Sequence, residues 1–194
     1  PAVRKSLTRL LSAAGYAVEA FASAREFLAR ERYTGPCCLV LDVRLQGSSG
    51  LDFQNELAAA GINVPIVFIT GYGDIAMTVR AMKAGAVDFL TKPFREQDLI
   101  DAVCAAHGRD KQRRESSRHA EQLLARHQTL TAREQTVMAL AASGLMNKQI
   151  AGEIGLSEIT VKIHRGQAMR KMGARSFADL VRMAEAISCQ PANR

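Results

Sequence analysis

Asp42, Thr70 and Lys92 are the residues of this 194-residue chain whose types and settings could do chemistry together. Each closes a run of strand character: "CCLVL" before Asp42, "PIVFI" before Thr70 and "VDFLT" before Lys92. Runs without polar alternation suit strands buried on both faces, as in a parallel sheet. In an open parallel sheet ligands bind beyond the carboxyl ends of the strands. One edge would therefore gather a carboxylate, a hydroxyl and an ammonium. A carboxylate can attack a phosphoryl group, the Lys can pair with a phosphoryl oxygen, and the Thr hydroxyl can hydrogen-bond to another. Phe89, three residues before Lys92, could repack when Thr70 moves. A second reading stands beside this one, in which the polar residues only mark where strands leave the core; spacing alone does not choose.

The elements that would position these residues alternate. Leu7, Leu10, Leu11 and Ala14 follow helical spacing, and Gly15 ends that helix. "AVEAF" (17–21) has strand character, and Ser23 with Glu26 makes a capping box for a helix with Phe27 and Leu28 inward. The "CCLVL" strand turns through Gly47 into a helix over Gly50–Ala60, stopped by Gly61. After "PIVFIT", Asp74 can cap a helix carrying Ile75, Val79 and Met82, which Gly85 closes. Strand, helix, strand, helix argues for a parallel sheet covered on both faces. After Arg95 one more amphipathic helix carries Leu99, Ile100 and Val103. Residues 107–119 hold almost nothing apolar and no Pro, which predicts an exposed helix or a flexible linker with solvated arginines.

Composition narrows the partners. The net charge is +7. Residues 1–108 carry 11 basic and 11 acidic side chains and the remainder 15 and 8, so the whole excess lies beyond residue 108. An excess so placed points to a nucleic acid or another anionic surface as the partner of the C-terminal part. No apolar stretch approaches the ~18 residues of a membrane-spanning helix. The four cysteines, Cys37, Cys38, Cys104 and Cys189, show no metal-site spacing and fit buried free thiols in a reducing cytoplasm.

Residues 129–194 give no strand signal. "TARE" (131–134) is a capping box, Asn147, Ser157 and Ser176 are plausible caps, and Gly144, Gly155 and Gly173 plausible stops. That predicts four helices in about 60 residues, near the lower limit for an independent core. "GLMNKQIAGEIGLSEITVKIHR" (144–165) is a helix, a tight turn at Gly155 and a second helix. On that second helix Val161, His164, Ala168 and Met172 share one face; at about 100° per residue the opposite face carries Ile159, Lys162, Ile163, Gly166 and Arg170. A cationic, partly apolar outer face suits entry into a major groove; an ordinary solvent-facing helix would look similar.

Two resemblances add to this. "LVLDVRLQGSSGLDF" and "PIVFITGYGDIAMTVRAMKAGAVDFLTKPF" resemble the receiver domain of bacterial two-component response regulators. The fold this implies is a flavodoxin-like, doubly wound α/β sheet over residues 1–106. The resemblance implies that Asp42 is the phospho-acceptor for a partner histidine kinase, Thr70 the switch hydroxyl, Phe89 the switch aromatic and Lys92 the family's lysine, with a cis peptide at Pro93. It also implies Mg²⁺, held in part by Asp42 and the backbone carbonyl of Arg44. Receivers of this kind begin with a strand ending in two acidic residues that complete the Mg²⁺ site. Here the sequence opens on "PAVRKSLTRLL", which resembles the helix after that strand, so the first strand is expected to be missing and the chain to be a fragment rather than a degenerate receiver. "LQG" (45–47) stands where the family usually has Met-Pro-Gly.

"LTAREQTVMALAASGLMNKQIAGEIGLSEITVKIHRGQAMRKM" resembles the LuxR/FixJ-type helix-turn-helix. It implies an all-α domain over residues 129–194, joined through a helical linker at 107–128, and a whole similar to FixJ/StyR-type regulators. Lys162 and Ile163 would face base edges: Lys can donate to guanine, and Ile can pack on a thymine methyl. Thr160, Lys148, His164, Arg165 and Lys171 are candidates for phosphate contacts, which position without specifying. His164 could equally be an inner-face histidine. Gly166 either admits the DNA backbone closely or forfeits a contact. Leu180, Val181 and Ala184 on the last helix would be the dimer contact, although core packing explains the stripe as well. The function implied is a transcriptional regulator of double-stranded DNA, a homodimer when active, acting in the cytoplasm with RNA polymerase as a further partner and no membrane. A phosphorylation-independent regulator with a degenerate receiver is the alternative. An enzyme of the Asp-nucleophile phosphatase kind fits poorly, since those use Asp-x-Asp and Arg44 holds the third position.

Overall fold

The computed structural model describes residues 2–31, 33–45, 49–71, 73 and 75–188. The expected turn at Gly47, the cap at Asp74 and the thiol of Cys189 lie outside the described residues. The chain divides into two compact units, 1–114 and 115–194.

The first unit is a parallel sheet covered on both faces. Its strands are β1 (Leu39–Asp42), β2 (Ile66–Thr70) and β3 (Asp88–Thr91), in the order β1-β2-β3. β2 is buried along its whole length, so its two side-chain sets face two cores. Ile66 and Phe68 join Leu41, Val43, Leu51, Phe53, Leu57, Ala81 and Ala86 on the side of α2 (Ala24–Ala29), α3 (Gly50–Ala59) and α4 (Ile75–Lys83). Val67 and Ile69 join Leu11, Leu99, Ala102, Val103 and Ala106 on the side of α1 (Ala2–Ala13) and α5 (Glu96–Gln128). The doubly wound arrangement expected from the alternating elements is therefore present.

Three local expectations fail here, and a fourth holds only in part. Residues 17–21 form no strand. In the flavodoxin-like strand order 2-1-3-4-5 the second strand pairs only with the first, and no strand precedes α1 among the described residues, so this segment has no ladder partner. Its side chains still pack: Val18 lies against the α1/α5 core, and Phe21 meets Phe27 edge-on. Ser23 caps α2 as expected, accepting from the Glu26 N–H at 3.2 Å, but Glu26 accepts from the N–H of Ala22 rather than that of Ser23, and Leu28 is exposed while Phe27 is buried. Cys104 is exposed and Cys37 and Cys38 only half-buried. Burial, with the charges of Cys37 and Asp110, pushes the Cys38 thiol up to about 11, which keeps it protonated and unreactive near neutrality.

The fourth concerns the charged stretch after residue 106. Of the two readings offered, the helix is the one present, mostly exposed within the 33 residues of α5, but it is not wholly solvated, because Asp110 within it is fully buried. The Asp110 carboxylate accepts from Arg113 Nη2 at 2.7 Å, Arg114 Nε at 2.6 Å and the backbone N–H of Cys37 at 3.0 Å. Arg114 also donates to the carbonyl of Thr34 at 3.0 Å. These bonds tie α5 to the segment that leads into β1.

The second unit is helical, as its capping signals predict. It contains the end of α5, then α6 (Ala132–Ala142), α7 (Asn147–Ile154), α8 (Glu158–Met172) and α9 (Phe177–Ser188). Thr131 and Glu134 form the expected capping box on α6, and Ser157 and Ser176 accept from backbone N–H groups at the starts of α8 and α9. Asn147 is not a cap. The N-cap is Met146, whose N–H donates to Gln149 Oε1, and Asn147 lies in the first turn with its Oδ1 accepting from Arg165. Gly155 closes α7 in the left-handed region, φ 67°, where a side chain would be strained.

No helix among the described residues is long and apolar enough to cross a membrane.

Candidate functional site

The strand ends meet as their sequence settings suggest. The pairing of Asp42 with Ile69 and of Thr70 with Thr91 brings the carboxyl ends of β1, β2 and β3 level. The Lys92 N–H donates to the Thr70 carbonyl at 2.7 Å, which fixes the lysine beyond the end of β3. Its ammonium then reaches Asp42 Oδ2 at 2.6 Å, while Asp42 Oδ1 accepts from the N–H of Arg44 at 3.0 Å. The Asp42 and Lys92 side chains are 34% and 26% exposed, so the pair is open to a reagent from solvent. The Lys92–Pro93 peptide is cis.

Two glycines hold the loops that frame this pair. A Cβ on Gly50 would lie 2.5 Å from the Asp42 carbonyl oxygen, and one on Gly73 would lie 2.6 Å from Thr91 Cγ2 and 3.2 Å from the Phe89 ring. Only a residue without a side chain permits approaches this close. Thr70 is 1% exposed. Phe89, opposite Phe68 on β2, is half-buried with its ring centroid 6.1 Å from that of Phe68. A Cβ on Gly73 would also stand 3.5 Å from Thr70 Cγ2, so Gly73 lies beside both Thr70 and Phe89.

As a Mg²⁺ site the residues present do not suffice. Asp42 supplies one carboxylate, already bonded to Lys92, and Arg44 could add only its backbone carbonyl. Among the described residues no group of three or more His, Cys, Asp or Glu gathers to hold a metal. Mg²⁺ is usually held by one or two carboxylates together with waters and phosphate oxygens, and the one carboxylate at these strand ends is engaged by the Lys92 ammonium.

The second site is the outer face of α8. Val161, Ala168 and Met172 are fully buried, His164 is half-buried, and Lys162, Ile163 and Gly166 are exposed. Lys148, on α7, is exposed as well. Thr160, at the start of α8, bonds through its hydroxyl to that of Ser157 at 2.8 Å.

Three of the expected assignments meet competing contacts inside the domain. Lys171 donates to Glu134 Oε2 at 2.7 Å and to the Thr129 carbonyl at 3.2 Å, which gives it a bracing role inside the domain. Arg165 donates to Asn147 Oδ1 at 2.9 Å and lies over the Phe177 ring at 5.2 Å, bracing α7 and α9 against α8. Leu180 and Ala184 are buried in their own domain's core with Leu130, Met138, Ala168 and Met172. They cannot be a dimer contact in this packing; Val181, between them in sequence, is half-exposed.

The Glu134–Lys171 pair was only half legible, because the capping box announces Glu134 but nothing local announces a lysine 37 residues away. The bond from Lys171, with the N–H and hydroxyl of Thr131, holds the Glu134 carboxyl below its usual range against the opposing push of burial. Lys171→Ala should therefore destabilise the DNA-free second unit by about 2 kcal/mol at pH 7, the weight of a charge-assisted bond to a buried group. A carboxyl lowered in the folded state stabilises fully above its unfolded value, about 4.3, and that contribution is lost as pH falls through the folded value. The gap between wild type and variant should close below about pH 4, as thermal melts across pH will show.

Comparison with known proteins identifies both parts of the chain. Residues 1–104 match the family described as "Response regulator receiver domain", and residues 128–184 the "Bacterial regulatory proteins, luxR family". The chain is 60% identical to "Nodulation protein W" of Bradyrhizobium diazoefficiens, over 95% of this chain and 82% of that protein. It is 42% identical to "Transcriptional regulatory protein FixJ" of Rhizobium meliloti, over 94% and 89%. Among solved structures it resembles the response regulator StyR, with a TM-score of 0.84 and 49% identity over 95% of this chain and 93% of that one. With a receiver match across the strand-end site and a LuxR match across α6 to α8, the chain belongs to the two-component response regulators that carry a LuxR-type DNA-binding domain, and it is a transcriptional regulator of that family.

Proposed function

We propose that Asp42 accepts a phosphoryl group from a histidine kinase and that this controls DNA binding through α8. The observation that carries the reading is the solvent-open Asp42–Lys92 pair at 2.6 Å beside the end of β2. Phosphorylation of Asp42 adds roughly −2 charge, and Lys92 would then pair with a phosphoryl oxygen. Thr70 would turn toward another, and Phe89 would repack behind it. The receiver family generally uses Mg²⁺ for this step; Asp42 and the Arg44 carbonyl are the groups here that would contribute to holding it. The shortage of metal ligands in the described residues is the observation that favours the alternative, a regulator that works without phosphorylation.

For the DNA-binding part, at 129–194 beyond a linker at 107–128, Lys162 and Ile163 would read bases. Lys148 and Thr160 would position the helix on phosphates, His164 would reach them from its half-buried flank, and Gly166 would let the backbone come close. The active form would be a homodimer on a two-fold site. With Leu180 and Ala184 buried, a receiver contact through the exposed Ile75, Val79 and Met82 of α4 is the better candidate for it. The reading places the chain in the cytoplasm, with RNA polymerase as a partner and no catalytic activity of its own.

Lys162→Ala tests the base-reading role. It should relax preference at one base pair by about 1–3 kcal/mol, whereas Lys148→Ala should weaken all sequences alike and flatten the salt dependence. Anisotropy titrations on a specific and a scrambled duplex at several salt concentrations measure both; equal losses on the two duplexes for Lys162→Ala would remove it from the base-reading set.

A further inference from the structure

The exposed face of α8 holds an apolar pair as well as a cation. Ile159 is 73% exposed and Ile163 53% exposed, while Val161, Ala168 and Met172 on the other side are fully buried. Ile159 is the second residue after the N-cap Ser157, at the end of the helix that meets base edges in helix-turn-helix docking. Single exposed apolar residues are ordinary. Two isoleucines one turn apart, with Lys162 between them on the same face, form a compact patch that nothing in this domain covers. A Cβ on Gly166, one turn further along, would meet nothing within 4 Å, so no side chain there holds the helix off a surface.

The occupant is argued from chemistry. The flanking charges, Lys148 and Lys162, and the basic excess beyond residue 108 suit a polyanion. On the major-groove edges of DNA the thymine C5-methyl is the apolar group offered. Side chains at i and i+4 stand about 5–6 Å apart, and successive bases on a strand about 3.4 Å apart, so such a pair spans between one and two base steps.

We infer that Ile159 and Ile163 together read two thymine methyl groups lying one or two base steps apart in the major groove, with Lys162 reading between them. This rests on α8 being the groove-entering helix and goes further by naming the DNA it prefers and by adding Ile159 to the specificity residues.

The full chain is used to select duplexes from a randomised pool, and the selected duplex is then remade with deoxyuridine for each thymine in turn, which removes only the methyl. Two adjacent or next-but-one thymines should emerge, and each replacement should weaken binding about fourfold, the weight of one buried methyl-sized group. With Ile159→Ala the penalty at one thymine should vanish while the other persists. The melting temperature should not move, because Ile159 is largely in water. A selected site without such thymines, or one bound equally with uracil, overturns the inference and leaves the DNA-binding reading intact. A pool from which nothing is enriched overturns both. If Ile159→Ala weakens every duplex alike and the uracil penalties persist, Ile159 rests on the sugar-phosphate backbone and the inference is wrong.

Discussion

Treatment with acetyl phosphate and Mg²⁺ should place a phosphoryl group on Asp42 and on no other carboxylate, and Asp42→Asn should abolish the label entirely. The expectation follows from the site's geometry. Among the three strand ends, Asp42 presents a carboxylate that is open to solvent and faces a lysine at 2.6 Å. Phosphoryl transfer depends mostly on positioning and charge neutralisation, and Lys92 supplies one fixed cation. A divalent cation would supply further neutralisation, and among the described residues no group of three or more His, Cys, Asp or Glu gathers to hold one. The 194-residue chain should therefore label weakly, and a version extended at Pro1 by a strand ending in two acidic residues should label strongly. Mass spectrometry of digested peptides reads both. Equal, robust labelling of the two versions would show that the acidic pair is dispensable, and no label on the extended version would favour the phosphorylation-independent regulator. Lys92→Ala in the extended version should keep some label but lose any label-dependent gain in DNA affinity, since the side chain that would bond the phosphoryl oxygen is gone.

The strand-end site was legible because its signals are local. An apolar run ending in Asp42, another ending in Thr70 and a third running up to Lys92 each predict an end without knowledge of the neighbours, and the parallel-sheet rule brings the ends together. The helix starts at Thr131, Ser157 and Ser176 were legible for the same reason, each cap bonding within three residues of itself. What failed depends on distant partners. Residues 17–21 have strand composition, but a strand exists only against a neighbour. The spacing of Leu180, Val181 and Ala184 defines a stripe without saying what covers it, and α6 and α8 of the same domain do. Lys171 and Arg165 look like free cations on a basic helix until Glu134 and Asn147 arrive from other helices. Asp110 lies in a stretch so polar that solvation was the natural expectation, yet its N–H partner, Cys37, is 73 residues away.

Replacing Asp110 should be the most damaging single change to the first unit outside its apolar core. Ion pairs three and four residues apart on an exposed helix contribute only a few tenths of a kcal/mol, and Arg113 and Arg114 would count as such if Asp110 faced water. It does not. Its side chain is 0% exposed, and it satisfies both guanidinium groups and the Cys37 N–H at once. Removing one partner of a buried pair costs about 3–5 kcal/mol. The two arginines keep partial access to water, so Asp110→Ala should cost about 3 kcal/mol, the low end of that range. Asp110→Asn keeps a neutral acceptor and should cost roughly half as much. The loss should be local as well as global, because Cys37 leads directly into β1, the strand that ends at Asp42. Amide exchange in residues 34–41 should accelerate by about two orders of magnitude in the Ala variant, since each 1.4 kcal/mol is about tenfold. The pH dependence has a definite sign. Burial pushes the Asp110 carboxyl up, but the bonds from Arg114, Arg113 and the Cys37 N–H outweigh it, and the group stays below its ordinary value. Its stabilisation is complete above the unfolded value of about 3.9 and is lost as pH falls through the folded value. Urea denaturation of wild type and Asp110→Ala should therefore differ most near neutrality and converge in acid below about pH 4. A midpoint difference that is absent at pH 7, or exchange at residues 34–41 unchanged by the substitution, would mean that Asp110 does not hold α5 to the entrance of β1.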